Sequence, residues 1–116
     1  MKLPAIIPME PISTNRFLKG VEWVSQVKWD GVRIITYYDG EKVLVKNRKL
    51  KDRTMQYPEL LDIATYCRAN SVILDGEVIA LEEGKPSFYQ VMKRDRLKKK
   101  ESMNALRQRI PIVYMI

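Results

Sequence analysis

The feature that most constrains the fold is an Asp-Gly pair, Asp39-Gly40, set between two strand-like runs, Val32 to Tyr38 and Glu41 to Lys46. Such a pair supplies the positive φ that a tight type I′ turn demands, so the two runs are predicted to fold back on each other as an antiparallel hairpin. Val43 and Val45 alternate with Lys42, Leu44 and Lys46, the pattern of a sheet with one buried face. Upstream, Val21 to Val27 is rich in strand formers and roughly alternates in polarity. This predicts a further strand that ends near Lys28 and extends the meander.

Between these runs stands Lys28-Trp29-Asp30-Gly31-Val32-Arg33. Lys28 and Asp30, two apart on a strand, share a face until Gly31 lets the backbone leave strand geometry. An amine in such a cluster suits attack on a phosphate only when neutral, and its reference pKa of about 10.4 must be lowered by neighbouring cations or a metal. Arg33 is one such cation, and its planar fork also fits phosphate oxygens. Asp30 acts in the opposite sense and is read as positioning the loop or contacting a ligand or metal. From spacing alone the simpler reading, two solvated strand ends around a turn, is the favoured one.

The remaining segments read as a mixture of helix and strand. Lys46 to Arg53 holds five basic residues in eight, a run that on most proteins is a solvated loop. Pro58 suits the first turn of a helix and Glu59 the positive end of its dipole. Leu60, Leu61, Ala64 and Cys67 then repeat at helical spacing, giving a core-facing stripe that Asn70 stops. Ser71 to Leu74 and Val78 to Leu81 read as covered strand segments on either side of Asp75-Gly76-Glu77. Carboxylates there need a reason, because ions are costly to bury unpaired; a surface bulge is the alternative, and Asp75 can pair with a nearby cation. Phe88, Val91 and Met92 mark an amphipathic helix, and Lys93 to Lys100 carries six basic residues and one acid, a patch able to follow a DNA backbone. Met103 and Leu106 suggest more helix, and Pro111 to Ile116 a last buried strand. The opening arm contains Pro4, Pro8 and Pro11, so it is irregular or extended, packing through Ile6, Ile7 and Met9.

Composition narrows the function classes. A chain of 116 residues makes one domain. Its net charge of +7 and pI near 9.6 favour a polyanionic partner. Cys67 alone cannot form an internal disulfide, and the absence of histidine excludes a Cys/His zinc site. No long apolar run follows Met1, and none approaches the ~20 residues of a membrane span. A cytoplasmic monomer is expected.

Lys28-Trp29-Asp30-Gly31-Val32-Arg33 resembles the KxDGxR motif shared by ATP-dependent DNA ligases, RNA ligases and mRNA capping enzymes. Further pieces follow in the ligase order. Asn47-Arg48, then Lys51-Asp52-Arg53-Thr54 and Tyr57-Pro58-Glu59-Leu60, is similar to the ligase segment holding a DNA-contacting arginine and an F/Y-P-E/D element. Val72 to Glu77 resembles the next motif, a buried strand leading into Asp-Gly-Glu, and Ile112 to Ile116 the approach to another. The fold this implies is α+β, with antiparallel sheets and packed helices, a partial ATP-grasp-like nucleotidyltransferase domain of DNA ligases. Residues 1–116 are then expected to be a single, truncated adenylation domain.

The resemblance also implies a chemistry. Lys28 attacks the α-phosphate of ATP, with Mg²⁺ assisting, to give a lysyl-adenylate. AMP passes to the 5′-phosphate of nicked duplex DNA, and the adjoining 3′-hydroxyl displaces it. Gln26, Val27, Lys28, Arg33 and Glu77 are implied nucleotide contacts, with Glu77 also the metal ligand and Arg48 the contact to the 5′-phosphate strand. Asn47 stands where ligases commonly have serine, and Gln26 where they usually have glutamate. The family's stacking aromatic, second metal-binding glutamate, KxK motif and OB-fold lie beyond the matched motifs, so little or no ligation is expected of these residues alone. The competing readings are a non-catalytic nucleic-acid-binding fragment and an RNA ligase or capping-type nucleotidyltransferase.

Overall fold

In the computed structural model, which describes all of residues 1–116, β1 (Val32–Tyr38) and β2 (Val43–Asn47) form the expected antiparallel hairpin. Its turn sits one residue later than the Asp-Gly pair suggests. Asp39 donates its amide to the Lys42 carbonyl at 3.2 Å, so Gly40 and Glu41 are the central residues, and only Gly40 has positive φ, +98°. Backbone N–H groups of Lys42, Glu41 and Lys2 converge on the Asp39 carboxylate and hold its pKa down to about 2. The two consecutive positive φ values of a I′ turn occur instead at Glu83 (52°) and Gly84 (79°), between β3 (Val72–Glu82) and β4 (Lys85–Pro86).

β3 is the centre of the sheet. It pairs antiparallel with β1 from Val72↔Tyr38 to Val78↔Val32, and along Glu77 to Ala80 with β5 (Ile112–Met115). The register gives the sheet two distinct faces. Ile34, Val45, Val78 and Ala80 point to one of them and form the main core with Tyr57, Val91 and Ile110. Val91 belongs to α2 (Phe88–Asp95), which starts where the Ser87 hydroxyl accepts from the Gln90 amide. Tyr114 reaches from β5 so that its hydroxyl meets the Ile34 carbonyl at 2.7 Å and the Leu74 carbonyl at 3.0 Å. Burial there pushes its pKa up to about 12. The Tyr114 ring lies over Gly76: a Cβ at that position would come within 2.8 Å of the ring and 2.5 Å of the Met115 carbonyl oxygen. The glycine of Asp75-Gly76-Glu77 is therefore required by packing.

The second face carries Arg33, Ile35, Tyr37, Asp75 and Glu77. It is covered in part by the amino-terminal arm, where the Ile6 amide donates to the Tyr37 hydroxyl at 3.0 Å. Pro8 is the arm's buried residue, whereas Ile7 and Met9 are exposed and Ile6 is barely covered. The arm is attached by backbone hydrogen bonds more than by apolar side chains.

Three expectations are corrected. Val21 to Val27 is exposed coil and not a strand. Both edges of β1 are already taken by β2 and β3, and the outer edge of β2 is engaged by the Lys46↔Asp52 bridge and by Thr54 and Arg53. The segment joins no ladder, and strand propensity alone holds nothing. The helix at Pro58 begins as a 3₁₀ turn over Pro58–Asp62 and adds one α turn, α1 (Ile63–Tyr66), stopping at the extended Cys67 and not at Asn70. A three-residue period aligns Tyr57, Leu60 and Ile63, of which Tyr57 and Ile63 are buried, while Leu61 and Ala64 face outward. The final strand is only half-covered, with Val113 and Ile116 exposed. α3 (Lys100–Arg109) closes the chain before β5 and buries Met103. No helix is long and apolar enough to cross a membrane.

Candidate functional site

Arg33 and Glu77 are direct cross-strand partners on the second face of the sheet, and Asp75 lies on the diagonal. Arg33 reaches that diagonal neighbour with a two-pronged grip, Nε to Oδ1 at 2.7 Å and Nη2 to Oδ2 at 2.5 Å. Its Nη1 donates to the Met9 carbonyl at 2.9 Å. The guanidinium is thus held from both sides and its pKa is raised, first by the bond to Asp75. Asp75 takes the cation partner anticipated for it.

Above this pair lies an open cavity of about 520 Å³, within the size range of small-molecule sites. Gln26, Val27, Lys28, Arg33 and Glu77, the five residues expected to contact nucleotide, all line it. Asp75, Trp29, Gly76, Met115 and Ile116 line it too; all lie within the motif-like stretches, but none had been assigned to a nucleotide site. Lys28 arrives there on coil and not at the end of a strand. Gly31 is needed because its Cα passes the β3 backbone: a Cβ would collide with the Val78 carbonyl oxygen and come within 2.9 Å of Ile79. Close approach, and not an unusual φ, explains this glycine.

Burial raises the Glu77 pKa, Lys28 and Arg33 pull it back down, and Asp30 adds to the rise. Asp30 is outside the cavity lining but within electrostatic reach of it. No group of three or more Asp, Glu, Cys or His stands together to hold a metal unaided. With Asp75 committed to Arg33, Glu77 is the carboxylate of this cavity engaged by no ion pair. One carboxylate fits a magnesium ion that keeps most of its shell from phosphates and water.

A second cavity, about 470 Å³, opens on the other side of Arg33 and Glu77 and shares both. Its rim is basic: Arg48, Lys49, Lys51 and Arg53. Asn47 builds this rim, because its side-chain oxygen accepts the amides of Lys49 and Lys51, each at 3.0 Å. Leu50 takes the left-handed region at φ +65° to complete the turn. Arg48 is exposed, with only the Glu10 carboxylate nearby at 4.0 Å. Arg48 and Lys28 therefore face two cavities that meet at Arg33.

Comparison with known proteins identifies the family of the chain. Residues 9–116 match the model of the ATP dependent DNA ligase domain. The chain is 36% identical over 92 residues to a DNA ligase of Archaeoglobus fulgidus, covering 79% of this chain and 16% of that protein. It is 38% identical over 80 residues to the multifunctional non-homologous end joining DNA repair protein LigD of Mycobacterium tuberculosis H37Rv, 68% of this chain and 10% of that one. Among solved structures, a mycobacterial DNA ligase D complexed with ATP and MES superposes with a TM-score of 0.55 at 28% identity, over 77% of this chain and 26% of that chain. The ligase domain of M. tuberculosis LigD gives 0.53 at 29% identity, over 78% and 27%. The chain spans 16% or less of these curated relatives and about a quarter of the solved chains, and the antiparallel sheet with its packed helices is the part that superposes. By sequence match and fold together, the chain belongs to the ATP dependent DNA ligase domain family.

Proposed function

We propose that this chain provides the nucleotide-binding and nucleophile-bearing part of an ATP-dependent DNA ligase, with residues 1–116 acting as one unit. The observation that carries the reading is the convergence of Lys28, Arg33 and Glu77 on a single cavity of nucleotide size. Lys28 supplies the amine that attacks the α-phosphate of ATP; the bond from that phosphorus to its bridging oxygen breaks and pyrophosphate leaves. Arg33, fixed by Asp75 and the Met9 carbonyl, presents its remaining N–H groups to the nucleotide. Gln26 and Val27 line the same wall, and Glu77 is the residue that would hold Mg²⁺, which supplies charge neutralisation at the phosphates when bound. Arg48 contacts the phosphate backbone of nicked duplex DNA, from the neighbouring basic cavity. The protein is proposed to act as a cytoplasmic monomer.

Incubation with ATP and Mg²⁺ followed by intact-mass measurement is the test. One AMP adduct per chain is expected in the native sequence, none in Lys28→Ala, and none with GTP in place of ATP. An adduct that survives Lys28→Ala refutes the assignment of the nucleophile.

A further inference from the structure

Arg53 and Asp95 line two neighbouring cavities, the basic one described above and a smaller one beside it, and Asp95 has so far been given no role. Arg53 Nε meets Asp95 Oδ1 at 3.3 Å, and the same carboxylate oxygen accepts from the Tyr57 hydroxyl at 2.7 Å. Asp95 is almost fully buried, so this is a fixed anchor and not a surface pairing. Arg53 Nη1 donates to the Asp52 carbonyl at 3.2 Å, which leaves the Nη2 end of the fork uncommitted. That guanidinium lines the basic cavity of Arg48, Lys49 and Lys51 on one side. On the other it lines a smaller cavity, about 290 Å³, with Arg96 and Lys98.

Resting on the ligase reading, we infer that Arg53, aimed by Asp95, joins the two basic runs of the sequence into one continuous track for the phosphate backbone of duplex DNA. Arg48, Lys49 and Lys51 lie at one end, Arg53 at the joint, and Arg96 and Lys98 at the other end. Charge complementarity identifies the occupant: six cations stand along the track, and Asp95, the acid at its joint, is buried and neutralised by Arg53. Glu10 beside Arg48, Glu77 at the cavity shared with the nucleotide site, and the exposed Asp52 are the other carboxylates nearby. Asp95 is a positioning residue, since it reaches the track only through Arg53.

The test is fluorescence-anisotropy titration of a nicked, 5′-phosphorylated duplex with the full chain at several salt concentrations. Each phosphate contact contributes about 0.9 to the slope of log K against log salt, or roughly eightfold in affinity between 1 M and 0.1 M salt. Arg53→Ala is expected to lower the slope by about 0.9 and the Arg96→Ala/Lys98→Ala double variant by about 1.8. Asp95→Asn removes a negative charge, which in a simple field would tighten binding, but is expected to weaken it; combined with Arg53→Ala it should add nothing further. Tighter binding by Asp95→Asn, or additive losses, overturns the positioning role. Arg96 and Lys98 are exposed, so their replacement leaves the fold intact, and an unchanged slope in that variant overturns the track. Lysyl-AMP formation by the native chain, measured in parallel, separates the two readings: its absence with altered slopes refutes the ligase chemistry and not the track.

Discussion

Glu59→Gln isolates the most heavily buried charge in the molecule. Arg94 is completely buried, and its two terminal nitrogens reach Glu59 at 2.6 and 2.5 Å, the Ile110 carbonyl at 2.9 Å and the Gln56 carbonyl at 2.9 Å. Its Nε has no partner. Neutralising Glu59 leaves a guanidinium in the core with no counter-charge, a change that typically costs 3–5 kcal/mol. Because the Glu59 side chain is 29% exposed, water relieves part of this, and a loss of about 3 kcal/mol is expected. Against a total stability on the order of 10 kcal/mol this is a large fraction. With a urea m value of about 1.5 kcal/mol/M it lowers the unfolding midpoint by about 2 M.

The acid dependence supplies a second check on the same pair. Burial alone raises the Glu59 pKa, but the bonds and charge of Arg94 outweigh it, and the net shift is downward. A carboxylate depressed in the folded state stabilises above its unfolded pKa, about 4.3, and loses that contribution as pH falls through the folded value. The gap between native and Glu59→Gln midpoints should therefore be full at pH 7 and shrink below pH 4. Equal midpoints at pH 7, or a gap that is undiminished at pH 2.5, would refute the buried-pair account.

Other outcomes follow from the same geometry. Lys28→Ala should raise the Glu77 pKa, because the ammonium currently pulls it down; an NMR titration that shows no movement would separate the two groups. Gly76→Ala forces a methyl against Tyr114 and the Met115 carbonyl, and should cost about 2 kcal/mol in thermal or urea melts. Loss of Tyr114 amide protection in that variant would localise the damage to the β3·β5 pairing. The Asp39 carboxyl should titrate with a midpoint of about 2, and a value in the ordinary range near 4 would mean that the Lys42, Glu41 and Lys2 amides do not converge on it.

Local pattern was sufficient for the β1–β2 hairpin, the strand segments on either side of Asp75-Gly76-Glu77, which the fold joins into one strand, the start at Pro58 and the α2 helix, because alternation, glycine and capping chemistry act between near neighbours in sequence. Lys28, Arg33 and Glu77 were nominated by the resemblance in motif order and not by local spacing, and the fold brings all three to one cavity. Local pattern failed at Val21 to Val27, where strand-like residues pair with no strand of the sheet. It failed again at Arg94 and Asp95, which sit in a run of cations that looks solvated throughout, yet are the two buried members of it. What distinguishes them is the proximity of Glu59, Tyr57 and Arg53, residues 35 to 42 positions away. The sequence by itself determined the hairpin that follows the motif and the side chains that compose the motif. Tertiary structure alone decided which charges are desolvated and which two basic runs meet, because burial and Coulomb energy depend on distance in space and not along the chain.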